Sequence, residues 1–496
     1  CITDLCVGTN YLSIESGEWR VHAKASRKID RVGTVISRNP PLAHSLLVDL
    51  ESTCAYCFAK PPKLFRCSKC QTLRYCGREC QSKDFAQHKW ECAYRSKRNG
   101  CSGGRWEDST AEQHHQELIL LLRTYGELQQ CKKRKRDQCT KIDDLVQCGS
   151  HHWDEMVLAP KNREQSLTYS SLASVLTDVL PNSWLNPQHI EGVLRRFQAN
   201  NFGIVNAMHA TIGQGVYPHG ALLNHSCDPN CLLRYREGTT MEIVTLRPIE
   251  AGEELTHSYV DLMKYTEQRS LELRNVHGFQ CQCKRCKGEI TVSLPELHQS
   301  SKLHRSTASI ADLYKWIVDR SNPYVDSSSV LSSEVVDLEV EAAMKVYNKP
   351  DRIIDELDQQ AQAFRCAADY HRANDDVEQE ASALGQLVCL LEKACYAPLS
   401  MELYQARGDY LSSLLLTGNL SEARRQCTAI VAVLCLVFPS YHPLIGLQLF
   451  TLGDLEGACG DDLQKQQNIY KWARDVLRVS HGTQHDLVQH LDAQLQ

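Results

Sequence analysis

The sequence predicts an α+β multidomain protein. A β-rich region is interrupted by a small metal-dependent module and a helical insert, and an all-helical C-terminal part follows. Three observations carry this. Strand-like runs lie on both sides of a long gap, at residues 26–50 and again at 200–265. Eight residues of zinc-ligand type crowd into residues 54–92. After about residue 291 the cysteine hooks stop and helix formers take over.

A chain of 496 residues is too long for one simple core, and about two to four domains are expected. Hydrophobic content of 42% and charged content of 23% are ordinary for a soluble globular protein. The formal net charge of −5 supplies no global attraction to nucleic acid, so any such contact must rest on a local basic face. The 24 cysteines are clustered with metal-like spacings, not spread as a disulfide framework. Cys1 to Asn10 lacks a basic region followed by an apolar one, and the longest apolar run, Ala429 to Phe438, is too short to span a bilayer. The expectation is a protein of cytoplasm and nucleus with reduced thiols and no membrane partner. No interface signature stands out, which predicts a monomer. The chain opens on Cys1 rather than Met, which points to preceding residues in the natural chain.

Ile29 to Ile36, with Gly33 at its centre and β-branched residues after it, predicts strand, turn, strand, broken by Pro40-Pro41. Residues 54–92 follow. Cys54 and Cys57 are spaced C-x2-C, as are Cys67 and Cys70; Cys76 and Cys80 form C-x3-C, and His88 and Cys92 form H-x3-C. Zinc takes four N/S ligands in a tetrahedron, and such hooks supply two at a time. In an interleaved arrangement Cys54, Cys57, Cys76 and Cys80 hold one ion, and Cys67, Cys70, His88 and Cys92 hold another. So short a segment has little core, and each structural zinc contributes about 10–16 kcal/mol toward folding it. Lys60, Lys63, Arg66, Lys69, Arg74, Arg78, Lys83 and Lys89 make it locally basic, which reads as a solvated face or as a contact for acidic peptide or DNA.

Residues 93–200 read as mostly helical, with Glu117 to Leu122, Ile142 to Val146 and Tyr169 to Leu180 as apolar helix segments. Lys132 to Arg136 reads as a nuclear import signal or a solvated basic run. Cys131, Cys139, Cys148 and His151 have loose spacings for a further metal site, and His114-His115 and His151-His152 read as surface histidines. Strand patterning returns at Asn200 to Ile204 and at Thr240 to Leu246, and Pro248 to Leu255 turns into a further strand. In the C-terminal region Gly453 follows Gly418 by 35 residues, near the roughly 34-residue period of tetratricopeptide (TPR) helix pairs.

Three stretches are expected to converge on one site: Tyr217 to Cys231, Glu253 to Tyr259, and Cys281 to Cys286. The run Arg74 to Gln81 with His88-Lys89-Trp90-Glu91-Cys92 resembles a MYND zinc finger. Asn224-His225-Ser226-Cys227-Asp228-Pro229-Asn230-Cys231, with Gly252 to Tyr259, resembles a SET-domain methyltransferase. Together with His442-Pro443 and Val479 to His485, nearly the whole chain resembles the SET-and-MYND family of protein lysine methyltransferases. The resemblance implies a β-rich SET domain split by a MYND finger and a helical insert, then an all-α TPR-like domain. Its parts are residues 1–53 (N-terminal SET), 54–92 (finger), 93–199 (helical insert), 200–265 (core SET), 266–290 (post-SET zinc segment) and 291–496 (helical domain).

The same resemblance implies roles. Asn200, Ala221, Leu223, Asn224, His225, Tyr259 and Phe279 would line a site for S-adenosylmethionine, with Phe279 stacking on adenine. Tyr259 would be the catalytic tyrosine, and Phe202, Tyr259 and His277 would line a lysine channel. Cys227 would join Cys281, Cys283 and Cys286 around a third structural zinc. Protein substrates with a target lysine and proline-containing peptides at the finger are the implied partners. Three departures stand out. The window Arg20 to Ala25 has no glycine where the family carries a Gly-x-Gly loop, His277 replaces a tyrosine, and His257 replaces an apolar residue. The altered loop leaves a second expectation open, a catalytically weak adaptor that recruits partners through finger and helices.

Overall fold

The computed structural model describes residues 11–16, 21–100, 115–134, 176, 179–180, 190, 194, 197, 200–217, 220–236, 238–264, 266–287, 351–393, 401–460 and 463–496. Lys135 and Arg136 of the basic run, Cys139, Cys148, His151, His114 and the start of the helical domain lie outside these residues. The chain divides into two compact units, residues 1–257 with 272–280, and residues 258–271 with 281–496.

In the first unit the early strands pair with late ones. Strands β1 (Leu12–Ser16) and β2 (Val21–Ala25) form an antiparallel hairpin. Strand β3 (Val35–Asn39) joins β11 (Thr240–Thr245), which joins β10 (Cys231–Arg236). Strand β4 (Ala43–Leu46) joins β8 (Thr211–Val216), which joins β7 (Asn201–Val205). The expected turn is present: Gly33 has φ 77°, a left-handed geometry that glycine adopts without steric cost. Ala23, Ala25, Ile36, Leu223, Ile243 and Leu255 form one buried cluster between these elements.

Between the two halves of the sheet come the finger strands β5 (Phe65–Arg66) and β6 (Arg74–Tyr75), helix α1 (Arg78–Gly100) and helix α2 (His115–Arg134). Leu118 to Leu122 of α2 are all buried. A helix with one covered face cannot bury five consecutive residues, so α2 is wrapped on all sides. It packs on α1 and β4, and at Gly126 a Cβ would stand 2.0 Å from the Ala86 carbonyl oxygen, so only glycine allows that approach.

Where α1, α2 and β4 meet, a buried polar cluster replaces apolar packing. Arg123 of α2 donates to Glu91 Oε2 (2.6 Å) and to Asp84 of α1, and its Nε donates to the His44 carbonyl of β4. Arg95 donates to Glu91 Oε1 (2.7 Å), and Tyr75 OH donates to Asp84 Oδ2 (2.8 Å). Two guanidinium groups thus balance two carboxylates. Burial alone would raise the Glu91 carboxyl, but Arg95 and Arg123 outweigh it and hold Glu91 well below the usual range. Burial, reinforced by the Arg123 charge, lowers His44 to about 4.

Helix α3 (Thr266–His277) follows the sheet strands in the chain. In the second unit, helices α4 (Asp351–Ala373), α5 (Val377–Lys393), α6 (Met401–Thr417), α7 (Leu420–Val437), α8 (Pro443–Cys459), α9 (Leu463–Ser480) and α10 (Asp486–Gln494) each pack on the next in sequence. Such neighbour packing is common to helix-pair arrays and up-and-down bundles. His442 and His485 cap α8 and α10, their Nδ1 atoms accepting from Leu444 N and Leu487 N. The 35-residue glycine recurrence does not mark equivalent positions. Gly418 has φ 73° just after α6, whereas Gly453 lies inside α8, where a Cβ would meet the Tyr470 ring at 2.3 Å. One glycine ends a helix and the other permits close packing. In the same unit, buried Arg285 donates to the carbonyls of Leu262 (3.0 Å) and Val437 (3.2 Å), the latter at the last residue of α7.

Arg123→Leu strips the partners from two buried carboxylates and should cost about 3–5 kcal/mol, read as a fall in the denaturant midpoint; a loss under about 1 kcal/mol would remove the cluster's importance. His44 binds its proton less readily folded than unfolded. Its contribution is therefore complete above the unfolded pKa of about 6.5 and is lost as pH falls toward 4. Across that window wild type should lose about 3 kcal/mol that His44→Gln does not, checked by unfolding curves at stepped pH.

Candidate functional site

Three groups of ligand atoms, each within 4.8 Å of one another, occur among the described residues: Cys54, Cys57, Cys76 and Cys80; Cys67, Cys70, His88 and Cys92; and Cys227, Cys281, Cys283 and Cys286. The first two are the sets expected from spacing. The C-x2-C hooks are built alike. Phe58 follows the first with φ 58° and Gln71 follows the second with φ 57°, and each amide donates back to the first cysteine's carbonyl. His88 and Cys92 lie one turn apart on α1, which puts both on one helix face.

The geometry suits a tetrahedral ion. Cys57 Sγ stands 3.5 Å from Cys76 Sγ and 3.9 Å from Cys80 Sγ, and Cys67 Sγ stands 3.8 Å from Cys92 Sγ. Zinc–sulfur bonds of about 2.3 Å at tetrahedral angles put sulfurs about 3.8 Å apart. His88 Nε2 faces Cys67 Sγ at 3.4 Å and Cys70 Sγ at 3.6 Å, while its Nδ1 faces Glu91 Oε2 at 3.2 Å. Glu91 thereby fixes the ring orientation from the far side, as carboxylates behind metal-binding histidines do. Cys231 belongs to no group. It is buried in the sheet core, and burial pushes its thiol up, so it stays protonated.

The second centre is assembled from separated segments of the first unit. A short 3₁₀ turn, Gly220–Leu222, leads into β9 (Asn224–His225), which runs parallel to β12 (Thr256–His257) with Asn224 beside Thr256 and His225 beside His257. Ser226 N donates to the His257 carbonyl at 3.0 Å. Asn224 Nδ2 donates to Glu254 Oε1 at 2.6 Å, and His225 Nε2 lies 3.2 Å from Cys227 Sγ. Phe279 stands 6.0 Å from the His225 ring and 6.3 Å from the His277 ring.

An aromatic group flanks these residues. Phe202 meets Tyr217 edge to face at 5.9 Å and lies tilted against His257 at 5.7 Å; Tyr217 in turn lies 5.7 Å from Tyr235. Tyr217 OH donates to the Thr239 carbonyl at 2.6 Å. Burial, with Tyr235 beside it, holds the Tyr217 phenol well above its ordinary value, so it remains a neutral donor. The arrangement can desolvate a cation and present π faces to it.

The other expected residues are placed as follows. Leu223 is fully buried in the sheet core, so only its backbone is available to a ligand; Ala221 and Asn200 are half-buried. Tyr259, half-buried, follows His257 by two residues and falls in the second unit. Ala23 and Ala25, from the window without glycine, turn their methyls into the core, and Arg20 lies outside the described residues. Asn230, Glu254, Tyr217 and Tyr235 were not assigned roles from sequence. The first three stand in the converging stretches, but their partners are distant in the chain.

The profile of the SET domain matches residues 67–260. The histone-lysine N-methyltransferase ASHR1 of Arabidopsis thaliana is 25% identical over 500 residues, covering 100% of this chain and 96% of that protein. The human histone-lysine N-methyltransferase SMYD3 is 25% identical over 465 residues, covering 93% and 91%. The human N-lysine methyltransferase SMYD2 is 30% identical over 270 residues, covering 52% and 55%. The chain carries a SET domain and is similar along nearly its whole length to SET-and-MYND lysine methyltransferases. As in that architecture, the sheet strands are split by the cysteine-rich module and the helical insert, and a helical C-terminal region follows. No helix of the described residues is long and apolar enough to cross a membrane.

Metal analysis of purified protein should find about three zinc ions per chain, one for each four-ligand group. Cys286→Ala should remove one, whereas Cys67→Ala should remove one and also unfold the finger, since so small a module depends on its metal. Full retention of zinc in either variant would count against that ligand set.

Proposed function

We propose that this chain is an S-adenosylmethionine-dependent protein lysine N-methyltransferase acting on a histone or another protein. The observation that carries the reading is the parallel pairing of Asn224-His225 with Thr256-His257 beside Phe202, Tyr217 and Phe279, with Tyr259 following two residues later. Asn224 and His225 would hold the donor, helped by Asn200, the backbone of Ala221 and Leu223, and the Phe279 ring. When bound, S-adenosylmethionine supplies an electrophilic methyl group on a sulfonium. Phe202, with His277 and Tyr259, would line the channel for the lysine side chain. An apolar aromatic wall disfavours the ammonium form, which a lysine must leave before its nitrogen can attack. The Tyr259 hydroxyl would orient the amine, and in-line placement with water excluded supplies most of the acceleration. The zinc ions would be structural: two hold the finger, and the third would tie the segment after the SET core to Cys227.

The finger would also bind a protein partner through a proline-containing peptide. Its exposed Phe65, with Lys63 5.2 Å from the ring centre, and exposed Phe85 support that reading. The proposed setting is cytoplasm and nucleus, and the proposed state a monomer.

Calorimetric titration with S-adenosylmethionine should detect binding that Asn224→Ala weakens about tenfold or more. Labelled methyl transfer to lysine in a lysate should be lost in Tyr259→Phe. No binding at millimolar donor would sink the enzyme reading in favour of an adaptor, and transfer persisting in Tyr259→Phe would remove that residue's role.

A further inference from the structure

Two asparagine side chains of the donor segment reach across to consecutive glutamates. Asn224 Nδ2 donates to Glu254 Oε1 at 2.6 Å, and Asn230 Nδ2 donates to Glu253 Oε1 at 3.0 Å and to the Glu254 carbonyl at 2.8 Å. We propose that Glu254 and Asn230 are separate positioning residues for methyl transfer. Glu254 sets which end of the Asn224 amide faces the donor, and Asn230 sets the strand register that leads to Tyr259. The proposal rests on the methyltransferase reading above.

Glu254 acts through hydrogen-bond polarity. An asparagine amide is a donor at one end and an acceptor at the other, and its shape does not distinguish them. An ionised carboxylate only accepts, so it must face Nδ2. Glu254 therefore turns Oδ1 of Asn224 the opposite way, and the amide offers an acceptor. The ammonium group of an amino-acid-bearing sulfonium donor needs such an acceptor. With glutamine at 254 either amide orientation could be satisfied, and that selection would be lost.

Asn230 acts through register. It is buried, and its amide is fully used: Oδ1 accepts from Thr256 N at 2.8 Å and lies 3.4 Å from Thr256 Oγ1, while Nδ2 makes the two donations just described. All four contacts fall within residues 253–256. Arg247 braces Glu253 from another side, at 2.7 Å. Thr256 is the residue paired with Asn224, and Tyr259 follows it by three. A strand displaced by one residue reverses the direction of every side chain. Asn230 therefore governs how the tyrosine is presented more than how the donor is gripped.

The two roles predict opposite kinetic signatures. Glu254→Gln should raise the dissociation constant of S-adenosylmethionine about tenfold and leave kcat at saturating donor within about threefold. Asn230→Asp keeps the acceptor oxygen but loses both donations and sets a carboxylate against Glu253. It should leave donor affinity within about threefold and lower kcat about thirtyfold or more. If Asn230→Asp does not fold, Thr256→Val tests the same contact mildly, with kcat down about threefold and donor affinity unchanged. Parallel changes in both parameters for both variants would reduce the residues to general structural support and overturn the proposal. A wild-type protein that binds donor but transfers nothing would fail the methyltransferase reading. The Asn230 role would fall with it, and the Glu254 role would still be decided by the binding titration. A wild-type protein that does not bind donor overturns both.

Discussion

The Arg123 guanidinium, buried where helix α2, helix α1 and strand β4 converge, is the constraint on which the first unit depends. Through Asp84 and Glu91 it holds the helix that carries His88 and Cys92, and through the His44 carbonyl it holds a strand of the SET sheet. Charges taken out of water are tolerated only when each is matched, and here two cations face two anions with Tyr75 completing the set. The carboxylate that orients His88 is also the one that anchors Arg123. Metal binding in the finger and docking of the helical insert are thus parts of one electrostatic arrangement.

The centre around Asn224 and His225 follows a different logic. Its backbone comes from short pairings, β9 with β12, and its side chains are oriented by amide–carboxylate contacts rather than by bulk packing. Apolar burial sits just behind, in the cluster of Ala23, Leu223 and Leu255. Rigid packing underneath and directional polar contacts above it would suit the proposed alignment of two substrates.

The two groups of candidate metal ligands in the finger were legible in the sequence because a metal hook is local: spacing alone brings two such residues together. The split sheet was legible in outline, since strand patterns recur on either side of the finger. Arg123 was not. In an apolar helical run an arginine reads as a solvated residue, and its partners lie 32 and 39 positions away. Glu254 and Asn230 stand inside the SET-like motifs, yet nothing local says which glutamate takes which asparagine. The glycine recurrence misled for a related reason. Gly418 and Gly453 answer different demands, a left-handed helix end and a close ring contact, that look alike in one-letter code.

Arg285 carries a consequence in time. Its guanidinium leans on the carbonyl of Val437, 152 residues further along. At about 5–20 residues per second, a ribosome needs roughly 8–30 seconds to synthesise that stretch. During this interval the Cys281–Cys286 segment exists without its later anchor, while Cys227, its partner in the proposed zinc site, has already been made. Loading of the proposed zinc could therefore precede completion of the C-terminal helices.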